Sequence, residues 1–251
     1  MTKILNFGPA VKYRLAEIKK VVAIYTLVVI LVIALTAGLT YTFIRVDGVN
    51  NISFSGLSLA GAITILVVGI VSIRESLRLM NQFGTGRKSV FLSEALSAII
   101  FSFAIAIIDE LLVLVTFTIT KGSVLVFSNI YKDLSVENGI SFIGSLTSIL
   151  LGGLSLVTVY FAGMLISLIF YRINKFWRIV ISICIPTAIA FGITKLFSAL
   201  ISDQEISISF DLFYLITLNL FLIILAIAAI LALLTWLLLR RAPVKAAIKP
   251  S

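Results

Sequence analysis

The sequence predicts an all-α integral membrane protein with six transmembrane helices, an N-terminal amphipathic helix in the membrane interface, and both termini in the cytoplasm. Three observations carry that prediction. The 251-residue chain is 61% hydrophobic and only 12% charged, with a mean hydropathy of +1.20, whereas a soluble domain carries about a quarter charged residues. It holds six apolar runs long enough to cross a hydrocarbon core of about 30 Å as helices. Its basic residues gather in alternate connections instead of being spread evenly.

Residues 1–20 precede the first span. Pro9 suits the first turn of a helix, and Val11, Leu15, Ile18 and Val22 recur at helical spacing, with Lys12, Arg14, Glu17, Lys19 and Lys20 on the remaining surface. This pattern reads as an amphipathic helix lying in the interface, or more plainly as a basic flank with incidental periodicity. The six-helix domain covers 21–239, with spans at 21–44, 57–73, 91–120, 140–171, 178–201 and 212–239. The third, fourth and sixth runs exceed the bilayer, so they must tilt, kink or project. Pro186 removes a backbone donor within the fifth span, which makes it a kink and a hinge candidate. Small-residue rows (Ala34 and Gly38; Gly61 and Gly69; Gly144, Ser148 and Gly152) suit close helix contact. A basic tail occupies 240–251.

Orientation follows from charge. With both termini in the cytoplasm, only Arg45, Lys121, Lys132 and Lys195 of the twenty Lys and Arg fall outside, where they meet Asp47, Asp133, Glu137, Asp203, Glu205 and Asp211. Such a split favours a multi-pass protein of the cell membrane with six spans. The short glycosylation pattern Asn51-Ile52-Ser53 falls on the outer side.

Composition also excludes chemistry. The chain has no histidine and one cysteine, Cys184, inside an apolar run. Ser-His and Cys-His catalysis, HExxH zinc sites and a disulfide framework are therefore ruled out, and no catalytic or metal-binding residue is assigned. The net charge of +9 sits at the ends of apolar segments, where it meets lipid headgroups or sets topology; it does not mark a nucleic-acid surface.

The connection 74–90 between spans two and three carries more than topology requires. Ile73, Leu77 and Met80 recur at helical spacing beside Arg74 and Arg78, and Gly84, Thr85 and Gly86 break the helix before Ser89, which suits the cap of the third span. The pattern describes either a short helix docked through its apolar stripe or an ordinary basic loop. The run GTGRKS at 84–89 is not a phosphate-binding loop: Arg87, not glycine, precedes Lys88, and membrane helices flank it. With no segment long enough for an ATPase domain, an ATP-driven function needs a separate subunit.

The arrangement resembles the membrane subunits of ABC-2 type transporters. The features that carry the resemblance span nearly the whole chain: a basic amphipathic N-terminal helix, six spans, a helical connection between spans two and three, and the basic tail LRRAPVK. The connection ends in FGTGRKSVF, similar to a Gly-x-x-Arg-Lys-x-x-Phe pattern of small permeases, with Gly84, Arg87, Lys88 and Phe91 in the matching places. The resemblance implies that 74–90 is a coupling helix, with Ile73, Arg74, Leu77, Arg78, Met80, Phe83, Arg87 and Lys88 meeting an ATP-binding cassette subunit. It also implies an exporter in which this chain is no enzyme and holds no cofactor, ATP and magnesium belonging to the partner. A second permease copy or paralogue would complete the path. Short outer loops favour export of a hydrophobic or amphipathic peptide, antibiotic or lipid-like molecule.

Within the membrane the conspicuous chemistry is Asp109-Glu110 in span three. Acids there cost up to about 3 kcal/mol and so face protein or water. Ala98, Ser102, Ala106 and Glu110 recur every four residues with Asp109 beside them, a face another helix can approach. Counting rise per residue brings Lys195 of span five to a similar height, so an ion pair with Asp109 or Glu110 is expected. A helix clamp, a polar lining of the substrate path and a proton relay are the three readings. The alternatives to a permease are a secondary transporter or channel using these acids, and a non-transporting scaffold or immunity protein.

Overall fold

The computed structural model describes residues 7–47, 52–54, 57–83, 86–120, 125–127, 142–172 and 210–240. It is helical throughout apart from two three-residue strands: α1 (Phe7–Asp47), β1 (Ile52–Phe54), α2 (Leu57–Phe83), α3 (Arg87–Thr120), β2 (Leu125–Phe127), α4 (Phe142–Arg172) and α5 (Phe210–Arg240). Among the described residues, four stretches are long and apolar enough to cross a membrane: Val11–Leu35, Arg87–Val115, Phe142–Tyr171 and Asn219–Arg240. A shorter apolar stretch, Leu59–Ile73, lies in α2. The expected fifth span, 178–201, with Pro186 and Lys195, lies outside the described residues.

Several expected boundaries change. Residues 7–20 do not form a separate interfacial helix; they are the first turns of the 41-residue α1, which at about 1.5 Å per residue is roughly 60 Å long. Pro9 falls in the first turn, where no intrahelical N–H is needed. The expected loop 74–90 is mostly helix. Nothing between Ile73 and Phe83 breaks helical propensity, so α2 runs on to Phe83, and only the Gly84–Thr85–Gly86 punctuation separates it from α3. Gly86, not Ser89, stands before the first turn: the Val90 N–H donates to the Gly86 carbonyl at 3.2 Å. Ser89 is buried inside that turn.

Helix α4 is the hub of the bundle and packs against α2, α3 and α5, whereas α1 lies mainly on α3 and barely touches α2. Small residues set the closest crossing. A Cβ added at Gly69 of α2 would lie 2.5 Å from the Tyr160 carbonyl oxygen, and one at Gly163 of α4 would lie 2.6 Å from that of Leu66. Backbone therefore rests on backbone there, which only glycine permits. Nearer the start of α4 the Phe103 ring covers Gly153.

The core runs through Ile65, Ile73, Phe101, Ile105, Val113, Leu156, Tyr160 and Met164, joined from α1 by Ile18, Tyr25 and Val29. Ile24, Leu27, Val28 and Leu35 of α1 and Leu222, Ile223, Ile230 and Leu233 of α5 are exposed. Apolar faces of that extent are suited to lipid and not to water.

The two strands pair in parallel, Ile52 with Leu125, Ser53 with Val126 and Phe54 with Phe127. They bring the connections after α1 and after α3 together at one end of the bundle. At the opposite end, Arg87 donates from Nη1 to the carbonyl of Arg240 at 2.6 Å, and the Phe91 ring lies 5.2 Å from Trp236. The start of α1, the α2–α3 turn and the end of α5 thus share one end.

Candidate functional site: two buried polar clusters

The first cluster pins the beginning of α1 to the bundle. Arg14, expected on the polar surface of an interfacial helix, is instead 6% exposed. Its Nε donates to Glu94 Oε1 at 2.6 Å. Its Nη1 binds Glu17 one turn on and lies 3.7 Å from Glu75 of α2. Glu94 is fully buried and is satisfied from three helices. Ser72 Oγ donates to its Oε2 at 2.9 Å, Ser76 Oγ donates to its Oε1, and Tyr160 OH of α4 donates to Oε2 at 2.8 Å. Tyr160 also lies 3.0 Å from Ser72 Oγ. A buried carboxylate persists only when its charge and lone pairs are met in this way.

Local sequence explains the assembly. Ser72 and Ser76 stand four apart and so project from one face of α2. Glu94 lies two turns into α3, directly across the α2–α3 hairpin, and the glycine crossing with α4 draws Tyr160 onto the same point. Glu75, beside that face of α2 and two residues past its apolar stretch, remains nearly half exposed. A hydrogen bond with Glu17, then partial burial and repulsion from Glu17 and Glu94, hold its carboxyl above the ordinary glutamate range, against the pull of Arg14.

The second cluster lies farther along α3. Tyr25 OH of α1 donates to Asp109 Oδ1 at 2.7 Å, and the other carboxylate oxygen rests against Gly61, where a Cβ would lie 3.1 Å away. Ser148 Oγ of α4 donates to Glu110 Oε2 at 2.8 Å. Both acids are buried, as are Ala98, Ser102 and Ala106 of the same row. Asp109 therefore ties α1 to α3, and Glu110 ties α3 to α4. The expected partner Lys195 lies outside the described residues.

The expected coupling residues divide. Ile73 is 1% exposed and belongs to the core, so it is not part of a surface offered to a partner; the continuous α2 rotates it inward. Arg87 and Lys88 are exposed at the turn. The side chains of Arg74, Leu77, Arg78, Met80 and Phe83 lie outside what the structure describes. Among the described residues no group of His, Cys, Asp or Glu is arranged to hold a metal ion.

Sequence reasoning missed Arg14, Glu94, Ser72, Ser76 and Tyr160. One signal was present: Glu94 is an acid within the third apolar run, and such acids face protein. Comparison with protein-family models, characterised proteins and solved structures finds no match to this chain.

Proposed function

We propose that this chain is the membrane subunit of an ATP-driven exporter of the ABC-2 type. ATP would be hydrolysed on a separate subunit, and a second permease copy or paralogue would complete the path for a hydrophobic or amphipathic substrate. The observation that carries the reading is the α2–α3 hairpin. Two long helices follow one another with only Gly84, Thr85 and Gly86 between them in sequence, and Arg87 and Lys88 are exposed at the end of the bundle where α1 begins and α5 finishes. Placed in the cytoplasm of a cell by its basic residues, such a hairpin is a stiff lever: a push at the turn is carried along α2 and α3 into the bundle. The Arg14–Glu94 cluster would carry the same push into α1.

In this reading Asp109 and Glu110 act as clamps between helices, each holding a hydroxyl from its neighbour, which favours the clamp over a proton relay. Solubilisation in a mild detergent tests the reading. The chain should co-purify with an ATP-hydrolysing subunit, and Arg87→Glu/Lys88→Glu should release that subunit while leaving the chain folded. Isolation of the chain without any such subunit would overturn the proposal.

A further inference from the structure

Arg87, expected to meet a partner subunit, already has a partner inside the chain. The last carbonyls of a helix lack an intrahelical donor, and Arg87 Nη1 donates to the carbonyl of Arg240, the final residue of α5, at 2.6 Å. Phe91, four residues on from Arg87, has its ring 5.2 Å from that of Trp236, four residues before Arg240. The two contacts keep one antiparallel register and so form a single interface between the start of α3 and the end of α5.

Charge explains why Arg87 stands there. Helix α3 opens on Arg87 and Lys88 with no acid in its first turn, although that end of a helix carries partial positive charge. The end of α5 carries the opposite partial charge, and Arg87 reaches from one to the other. Helix α5 is also the helix that such a contact can most readily control. It packs along α4 and meets α3 only lightly, and it is the least buried of the four described candidate spans. Among the described residues its buried side chains are Ala228, Thr235 and Leu239, one narrow stripe. An element held by a narrow stripe and an exposed hydrogen bond opens locally at low cost.

We propose that the end of α5 is an autoinhibitory latch on the start of α3: at rest it occupies Arg87, and a docking partner that presents a carboxylate takes Arg87 away and frees the end of α5. The backbone carbonyl is a neutral acceptor of one bond. A carboxylate accepts two from a guanidinium, each roughly twice as strong as a neutral one, so the exchange runs toward the partner. Lys88, exposed beside Arg87, steers the acid to the same place. Phe91 and Trp236 stay together as the pivot on which the released end turns. The latch stands on these contacts alone, whereas its release rests on the reading of the α2–α3 turn as a docking site.

The test uses the full chain in nanodiscs, with Cys184→Ala, Tyr13→Cys and Leu237→Cys, nitroxide labels on the two exposed positions, and distances read by double electron–electron resonance. Tyr13 adjoins Arg14, which pins α1 to α3, so the label pair reports the end of α5 against α3. This background should give one narrow distance distribution. Arg87→Met, which keeps the apolar stem and removes the donors, should broaden and shift it. Lys88→Met, the same loss of charge one residue on, should not. Hexaglutamate, as the carboxylate probe, should broaden the background distribution and leave that of Arg87→Met unchanged. A distribution that Arg87→Met leaves narrow, or that Lys88→Met broadens equally, would overturn the latch, and a background indifferent to hexaglutamate would overturn its release. Failure of an ATP-hydrolysing subunit to co-purify would instead count against the export reading and leave these distances as they are.

Discussion

Replacing Arg14 with methionine keeps much of the side-chain volume and removes the cation that faces the fully buried Glu94. Glu94, fully buried, would keep three neutral donors, Ser72, Ser76 and Tyr160, but no cation. Removing one partner of a buried pair costs about 3–5 kcal/mol, and the three remaining donors place Arg14→Met near the lower end of that range. Glu94→Gln is milder, since Arg14 retains Glu17 and Glu75; the loss of one charged hydrogen bond is worth about 1.5–3 kcal/mol. Because both substitutions remove the same bond, the double variant should cost less than the two single effects added together, with a coupling of at least about 1 kcal/mol. Unfolding in mixed micelles, followed by circular dichroism, measures all three. Two single losses each under about 1 kcal/mol that simply add would mean that Arg14 is solvated like a surface residue, and the anchoring of α1 would be refuted.

Other outcomes follow from the same packing. Gly163→Ala sets a methyl 2.6 Å from the Leu66 carbonyl oxygen and should cost about 1–3 kcal/mol in the same unfolding assay, whereas Gly38→Ala, with nothing within 4 Å, should be neutral or stabilising. Tyr25→Phe leaves Asp109 Oδ1 without its 2.7 Å donor and should cost about 1–3 kcal/mol; an unchanged midpoint would show that this bond does not hold α1 to α3. The carboxyl of Glu75 is held above its ordinary range, chiefly by Glu17, so the folded state binds more protons than the unfolded state between the ordinary and the raised value. Stability must fall as pH rises through that window. Glu75→Gln should flatten this fall, and a pH profile identical to that of the unsubstituted chain would refute the raised Glu75 carboxyl.

What the sequence disclosed was whatever repeats locally. Apolar runs located α1, α3, α4 and α5, and the four-residue row Ala98, Ser102, Ala106 and Glu110 identified a buried face of α3. What it concealed was pairing at long range. Arg14 and Glu94 are eighty residues apart, and the stripe Val11, Leu15, Ile18 and Val22 assigned Arg14 to solvent. The buried side of α1 passes through Arg14, Ile18, Tyr25 and Val29, while Val11, Leu15 and Val22 of the expected stripe are half-buried beside it. The bond to Glu94 is what makes Arg14 part of that side, and no local period reports it. Ile73 failed for a related reason: basic residues after it suggested that the span had ended, but α2 continues and keeps Ile73 within the core. Gly163, which makes the closest crossing with Gly69, stands in an unremarkable apolar run and becomes legible only when α2 lies across it.

The central functional claim is that the α2–α3 turn receives force from a separate ATP-hydrolysing subunit. The most direct measurement places a photoreactive amino acid at Lys88, exposed on that turn, and irradiates cells that express the full chain. The account predicts one dominant adduct, with a nucleotide-binding subunit, absent when the same probe is placed at exposed Leu27 on the outer face of α1. Adducts with lipid alone, or the same adduct pattern from both positions, would contradict it.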